Sequence, residues 1–200
     1  MPLISKELRA RARKIKLLLM DVDGVLTDGR FFYVPRPGGG LVETKMFHSR
    51  DGLGFRLAHQ AGLKTGFITG RRSPAVEHRA KELGVHFLKQ NAREKLAPYQ
   101  EILQEACLKD EEVCFVGDDI VDLPVLTRVG LAVGVAGGHK LLRRYVHYLT
   151  RQPGGRGAVR EVIELILSPR VSGMPSSSIT YASDPVARTS VFKVRGSCLA

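Results

Sequence analysis

Two aspartates stand directly after an apolar run near the start of the sequence, in the segment LLLMDVDGVLTDG (residues 17–29). Asp21 and Asp23 are two positions apart, so at the end of a strand their side chains point to the same face. Carboxylates this close repel each other and resist removal from water, so the pair requires a bound cation or a reaction that uses the charge. We expect Asp28, further along, to stabilise a turn.

Polar residues with complementary chemistry follow other strand-like segments: Thr69 and Arg71 in FITGRR, Lys95 in NAREK, and Asp118, Asp119 and Asp122 in GDDIVD. Carboxylate oxygens are the ligands that Mg²⁺ prefers, and a lysine can neutralise charge on a transferred phosphoryl group. With that charge neutralised, one carboxylate can attack phosphorus while a second protonates the leaving alcohol. The residue types therefore indicate phosphate chemistry.

The elements that must position these residues alternate along the chain. Apolar runs of strand length predict strands at residues 15–21, 63–69, 85–89, 111–118 and 131–136. Amphipathic segments predict helices at residues 4–16, 51–62, 73–84, 93–107, 120–130 and 158–167. Such alternation is typical of an α/β domain with a mostly parallel sheet and helices on both faces, whose ligands bind beyond the carboxyl ends of the strands.

Two β-rich segments interrupt this alternation after the first strand. Residues 30–34 and 41–47 flank the sequence PRPGGG, so we predict a hairpin with a flexible tip that serves as a flap. The second helix is expected to begin with Asp51 as its N-cap, and the third with Ser73 and Glu77 in a capping box.

Taken in order, DVDGVLTDG, TGR, Lys95 and GDDIVD resemble the four motifs of the haloacid dehalogenase superfamily of phosphatases. The segments FHSRDGLGFR, TGR and GGRGAVREV look like the capless subfamily of 3-deoxy-D-manno-octulosonate 8-phosphate phosphatases. The resemblance covers roughly residues 14–167. It implies a Rossmann-like fold with a hairpin flap and no cap domain.

The resemblance also implies a role for each motif residue. Asp21 would be the nucleophile that forms an aspartyl-phosphate, and Asp23 the general acid and then the general base. A Mg²⁺ ion would be held by the carboxylates of Asp21 and Asp118 and by the backbone carbonyl of Asp23. The remaining motif residues would support these groups, Asp119 and Asp122 by orienting the metal ligands, and Thr69 and Lys95 by binding the phosphoryl group.

The implied substrate is a phosphorylated sugar acid. Besides Asp23 and Lys95, the residues expected to contact it are His48, Ser49, Arg50, Asp51, Gly52, Arg56, Arg71 and Arg79. Arginine suits such a substrate because its planar guanidinium pairs with carboxylate or phosphate. In relatives the hairpin joins a homotetramer and a neighbouring subunit helps to close the pocket, so Arg156 could contribute to a neighbouring site. The implied role is in lipopolysaccharide precursor synthesis in a bacterial cytoplasm.

Several alternatives stay open at this stage. A nine-carbon acid such as a neuraminate or its deaminated analogue, phosphorylated at position 9, is a rival substrate, although relatives of that kind can carry an acid where this chain has Arg71. A non-catalytic oligomerisation module is a rival class, and the complete motifs argue against it. Asp119 could simply cap the next helix, and the flap tip and His48-Ser49 depart from the family pattern.

Composition bounds the remaining possibilities. The 200 residues carry a formal charge of +11. Residues 1–16 hold six basic side chains against Glu7, and residues 168–200 hold four against Asp184, so the globular part is nearly balanced and nucleic-acid binding is disfavoured. Three cysteines without a C-x-x-C pair indicate neither a disulfide framework nor a zinc site, which fits a cytoplasmic protein.

The same composition argues against a membrane span, because no apolar run reaches the required length. We therefore divide the chain into a basic N-terminal helix (residues 1–13), a phosphatase domain (residues 14–167) and a serine-rich tail (residues 168–200) that we expect to be disordered.

Overall fold

A computed structural model describes residues 5–171 of the chain. The strands are β1 (Leu17–Met20), β2 (Phe31–Pro35), β3 (Leu41–Lys45), β4 (Lys64–Ile68), β5 (Phe87–Lys89), β6 (Val113–Gly117), β7 (Leu131–Ala136) and β8 (Tyr148–Pro153). The α-helices are α1 (Lys6–Lys14), α2 (Ser49–Gln60), α3 (Pro74–Leu83), α4 (Leu96–Ala106), α5 (Leu123–Leu126) and α6 (Ala158–Val171). Short 3₁₀ helices cover Asp110–Glu112, Ile120–Asp122 and Lys140–Arg144.

Six strands form one parallel sheet in the order β5-β4-β1-β6-β7-β8, with β1 paired to β4 on one side and to β6 on the other. The order steps outward from β1 in both directions, so the loops after β1, β4 and β6 meet at one edge. This confirms the predicted α/β fold with a mostly parallel sheet. β2 and β3 form the predicted hairpin, which is antiparallel and separate from the main sheet.

The central strand β1 is buried on both faces because its side chains alternate between two cores. Leu18 and Met20 pack in one core with residues of α1, α2, α3 and α6. Leu17 and Leu19 pack in the other core with residues of α4 and α5. Helices on both faces thus fix the end of β1, where Asp21 begins the first motif.

Three predictions about local structure need correction. Helix α2 begins three residues earlier than expected, because its N-cap is His48, whose Nδ1 accepts a hydrogen bond from Arg50 N. Asp51, the expected N-cap, lies inside the helix. Ser73 precedes α3, but its side chain makes no capping hydrogen bond, and Glu77 lies one position too late for a capping box. The sequence pattern also missed β8.

The chain boundaries differ slightly from the prediction. Helix α6 continues to Val171, four residues past the expected end of the domain at Leu167. The predicted tail therefore starts inside a helix, and its part from residue 172 onward lies outside the described residues. Over residues 5–171, the hairpin is the one insertion between β1 and α2, and no helix has the length and apolar character to cross a membrane.

Candidate active site

Three carboxylates meet where β1 and β6 end side by side. One oxygen from each of Asp21, Asp118 and Asp122 lies within 4.8 Å of the others, and this group could hold a metal ion. Gly24 allows the approach, because a Cβ there would lie 2.1 Å from Asp118 Oδ2 and the backbone φ of +90° is one that side chains rarely adopt. A cluster of hard oxygen donors beside a glycine loop fits Mg²⁺.

Lys95 supplies the positive charge of this cluster. Its side chain is 2% exposed, and Nζ lies 3.0 Å from Asp21 Oδ1 and 2.6 Å from Asp122 Oδ1. Burial lowers the pKa of Lys95, but the two carboxylates raise it more, so the net direction is upward and the side chain stays an ammonium. The predicted nucleophile and the predicted phosphoryl-binding lysine are thus in direct contact.

Asp122 has the contacts of a residue that orients others. It is fully buried, and its Oδ2 accepts hydrogen bonds from the backbone N–H groups of Asp118 and Asp119 at 2.9 and 3.2 Å while Oδ1 faces Lys95. Asp119 differs from the expectation that it orients the metal ligands, because it is exposed and its Oδ1 accepts from Ile120 N at 2.7 Å. Asp119 therefore caps the 3₁₀ helix Ile120–Asp122.

Electrostatics in the cluster favour binding of a cation. Burial raises the pKa of Asp21 to about 6, although Lys95 acts in the opposite direction. Burial, assisted by the charges of Asp21 and Asp122, raises the pKa of Asp118 to about 7. The three carboxylates therefore carry more negative charge than one lysine balances, which a divalent cation would relieve.

Mg²⁺ affinity is expected to increase as the pH rises from about 5.5 to about 8. Protons and the metal compete for Asp21 and Asp118, so each proton released on binding contributes up to about tenfold in affinity per pH unit. Isothermal titration with Mg²⁺ at several pH values measures this slope. Asp21→Asn removes one of the two groups and should flatten it, whereas an affinity that does not change with pH would contradict the proposed ligands.

The opposite side of Asp21 is formed by the end of β4. Thr69 is 2% exposed, its N–H donates to Lys89 O, and its carbonyl accepts from Ala92 N, so its position is fixed by the neighbouring loops. The predicted phosphoryl-binding hydroxyl therefore belongs to the same edge of the sheet as Asp21 and Lys95.

Asp23 contacts the hairpin, and this contact was not predicted. Its Oδ1 lies 2.5 Å from Nζ of Lys45, whose side chain is fully buried, and Lys45 also lies 3.2 Å from Glu43. Arg71 is further away, with Nε 3.8 Å from Asp23 Oδ2. The sequence contains one signal for this group, since Glu43 and Lys45 are two apart and so share a face of β3.

The other residues expected around the sugar pocket separate into two groups. Ser49, Arg50 and Arg56 are exposed along α2, and His48 caps that helix. Arg79 packs against Gly52, stacks over Phe47 at 5.5 Å and pairs with Glu82 at 2.8 Å.

Asp51 requires a correction. It is fully buried, and its Oδ1 accepts a hydrogen bond from Arg160 N at 2.8 Å, so its carboxylate holds the start of α6 instead of facing a substrate. Burial raises the pKa of Asp51, while the backbone N–H of Arg160 acts in the opposite direction.

Arg156 lies on the other side of Asp118. Together with Gly24, Asp28, Arg30 and Gly137 it lines a cleft of about 240 Å³ that reaches Asp118. Gly154 packs directly on the backbone of Gly24, since a Cβ there would lie 1.8 Å from Gly24 O. Arg156 is therefore placed beside the acid cluster of its own chain.

Asp28 stabilises the turn before β2, as predicted, by accepting a hydrogen bond from Arg30 N at 3.0 Å.

Comparison with known proteins identifies the family of this chain. A family model for haloacid dehalogenase-like hydrolases matches residues 53–130. The 3-deoxy-D-manno-octulosonate 8-phosphate phosphatase KdsC of Escherichia coli K12 is 43% identical over 164 residues, which cover 82% of this chain and 85% of the relative.

Solved structures of phosphatases with the same name are also similar to this chain. The 3-deoxy-D-manno-octulosonate 8-phosphate phosphatase of Yersinia pestis superposes with a TM-score of 0.79 at 42% identity, covering 85% of this chain and 91% of that one. The enzyme of the same name from Moraxella catarrhalis, solved with magnesium, phosphate and KDO, superposes with a TM-score of 0.77 at 37% identity over 83% and 93% of the two chains. The chain belongs to the 3-deoxy-D-manno-octulosonate 8-phosphate phosphatase family of the haloacid dehalogenase-like hydrolases.

Proposed function

We propose that this chain is a Mg²⁺-dependent phosphatase that hydrolyses 3-deoxy-D-manno-octulosonate 8-phosphate to the free sugar acid and phosphate. The observation that carries the proposal is the contact of Lys95 with Asp21 beside Asp118 and Asp122, because it joins a nucleophile, a phosphoryl-binding cation and a metal site. The closely related enzymes named for this reaction support the choice of substrate. We place the reaction in lipopolysaccharide precursor synthesis in the cytoplasm.

The chemistry would proceed in two steps at Asp21. In the first, an Asp21 oxygen forms a bond to phosphorus, the bond from phosphorus to the sugar oxygen breaks, and Asp23 donates its proton to that oxygen. In the second, water attacks the aspartyl-phosphate, Asp23 takes the proton of the water, and cleavage of the bond to Asp21 releases phosphate. Lys95 and Thr69 bind the phosphoryl oxygens throughout.

Oxygen atoms of this chain can supply the protein ligands for a Mg²⁺ ion. Asp21 and Asp118 would hold Mg²⁺ through carboxylate oxygens and Asp23 through its backbone carbonyl, while Asp122 fixes the backbone that carries Asp118. A bound Mg²⁺ supplies positive charge next to the transferred phosphoryl group. Chelation should therefore abolish activity, and added Mg²⁺ should restore it.

The decisive experiment is a comparison of kcat/KM over a panel of phosphate monoesters with Mg²⁺ present. The panel contains the eight-carbon acid phosphate, a neuraminate 9-phosphate, its deaminated analogue and neutral sugar phosphates. We expect the eight-carbon acid to have the highest value. A preference for either nine-carbon acid would establish the rival substrate, and a preference for neutral sugars would overturn the proposed role of the arginines. No turnover of any ester would favour the non-catalytic module.

Arg71 is expected to recognise the carboxylate of the substrate. Its guanidinium is half exposed above Phe31 and lies 3.8 Å and 3.9 Å from Asp23 and Glu43, so it can turn to an incoming anion. Arg71→Ala should raise KM for the sugar acid phosphate by about 10- to 100-fold, which is the usual worth of a hydrogen bond to a charged group. Turnover of p-nitrophenyl phosphate, which has no carboxylate, should stay within about threefold. The exposed neighbour Arg72→Ala is the matched control.

We further propose that the chain forms a homotetramer through the hairpin. Large apolar side chains on β2 and β3 are exposed, namely Phe32 at 52%, Tyr33 at 55%, Val34 at 48% and Leu41 at 65%. These side chains lie on both faces of the hairpin, and exposed apolar surface of this kind is typical of a protein interface. Leu41→Asp should reduce the mass measured by analytical ultracentrifugation, whereas Tyr145→Asp, an exposed site outside the hairpin, should not. A monomeric wild-type chain would contradict the proposal.

A further inference from the structure

The hairpin contributes one buried cation, Lys45, to the active site. Lys45 is the last residue of β3, and its register partner Phe31 is the first residue of β2. Its ammonium lies 5.3 Å from the centre of the Phe31 ring and 2.5 Å from Asp23 Oδ1. The charged side chain of Lys45, at the base of the flap, thus connects the flap to Asp23 in the site.

A fully buried ammonium needs partners, because removing it from water costs several kcal/mol, on the order of the penalty for any buried ion. Lys45 has two, Asp23 at 2.5 Å and Glu43 at 3.2 Å. Glu43 belongs to the same strand, so Asp23 is the partner that connects the flap with the main sheet. The ammonium of Lys45 therefore restricts where the Asp23 carboxylate can lie.

Arg71 cannot have the same role. Its side chain is 51% exposed and its contacts with Asp23 and Glu43 are 3.8 and 3.9 Å long, beyond hydrogen-bond distance. Exposed pairs of this kind contribute little and rearrange readily. Within the part of the chain that the structure describes, Lys45 is the closer and more firmly held of the two cations that face Asp23.

We propose that Lys45 is a positioning residue for the Asp23 carboxylate. Lys45 holds Oδ1 of Asp23, so Oδ2, which among the described residues has only the 3.8 Å contact with Arg71, is the oxygen left to carry the proton for the leaving group. Glu43 also contacts the ammonium, and Arg71 lies near the carboxyl groups of both Glu43 and Asp23. The assignment rests on the proposed role of Asp23 as the proton donor, and it makes correct docking of the flap a condition for proton transfer.

A series of aryl phosphates tests the proposal independently of the sugar pocket. The p-nitrophenolate group leaves without help from an acid, whereas phenol and the sugar alcohol need a proton. In Lys45→Met we expect the rate of the first step, measured by rapid quenching as formation of the aspartyl-phosphate, to fall by about 10- to 100-fold with phenyl phosphate and the sugar acid phosphate, and by less than about threefold with p-nitrophenyl phosphate. The second step, hydrolysis of the aspartyl-phosphate, is the same for every ester and should slow equally for all of them. The substrate concentration that gives half of the maximal first-step rate should change little, because the proposed role of Lys45 is exercised through Asp23.

Three further variants complete the experiment. Lys64→Met removes a cation from the exposed start of β4, at the end of the strand away from the site, and should behave as wild type. Lys45→Arg keeps the charge and should recover part of the selective loss. Asp23→Asn should reproduce the selective loss in full. If Lys45→Met does not fold, Lys45→Gln carries the same comparison.

The outcomes distinguish the role proposed for Lys45, positioning Asp23, from the role proposed for Asp23, donating the proton. An equal fall of the first-step rate on all esters in Lys45→Met, with a selective fall of that rate in Asp23→Asn, would overturn the role of Lys45 and leave that of Asp23 intact. An equal fall of the first-step rate on all esters in Asp23→Asn as well would show that Asp23 is not the proton donor, which would overturn both. A selective fall in both variants on aryl esters supports the proposal even if the eight-carbon acid is not the preferred substrate.

Discussion

Asp21→Asn should lower the rate of phosphate release by more than about 1000-fold, because the amide cannot act as the nucleophile that the first step requires. The loss should be seen with p-nitrophenyl phosphate as well as with the sugar acid phosphate, since both would pass through the same covalent intermediate. Rapid quenching of the wild type during turnover should trap phosphate on the protein, and the variant should trap none. Retained phosphate release would refute Asp21 as the nucleophile.

The same substitution should leave the fold at least as stable when metal is absent. Burial raises the pKa of Asp21 to about 6, which means that folding disfavours its charged form. Near pH 8 the wild type therefore holds an unfavourable charge that asparagine removes, and Tm should be unchanged or higher. Asp28→Asn, on the exposed turn of the same loop, is the matched control and should alter activity by less than about threefold. A large fall in Tm would show that Asp21 is needed mainly for structure.

The extent to which the fold could be predicted depends on burial. β1, β6 and β7 are buried along nearly their whole length, so their apolar runs identified them. β8 is an edge strand with one fully buried residue, Thr150, and its sequence YLTRQP has no apolar run. An edge strand of this kind forms because β7 offers it hydrogen bonds, which a local pattern does not reveal.

The site was predictable where the chemistry is local to a strand end. Asp21, Lys95 and Asp118 follow β1, β5 and β6, whose carboxyl ends lie at the same edge of the parallel sheet, so the sheet brings them together. Lys45 was missed because its contact with Asp23 depends on how the hairpin folds back over β1. Asp51 was assigned to the pocket although it is buried against α6. Its partner, the N–H of Arg160, is 109 residues away, so the sequence around Asp51 does not reveal the contact.

Replacing Lys95 by methionine is expected to have the largest effect on stability. Lys95 is the one cation in direct contact with Asp21 and Asp122 among the described residues, and all three side chains are nearly or fully buried. Removing one partner of a buried ion pair typically costs about 3–5 kcal/mol, because the charge left behind has no compensation. At pH 8 without metal, urea unfolding of Lys95→Met should show a loss of this size, and kcat/KM should fall by more than about 100-fold because the phosphoryl group loses its cation.

The pH dependence of this loss distinguishes uncompensated charge from poor packing. Asp21 and Asp118, with pKa values of about 6 and 7, take up protons as the pH falls, and the repulsion that Lys95 balanced then disappears. The difference in unfolding free energy between wild type and Lys95→Met should therefore shrink from pH 8 to pH 5, and millimolar Mg²⁺ should reduce it at pH 8 by supplying the missing positive charge. Lys64→Met, at the exposed start of β4, should show neither effect. A deficit that is constant with pH and insensitive to Mg²⁺ would mean that Lys95 stabilises the fold by packing, and the charge balance proposed for this site would be wrong.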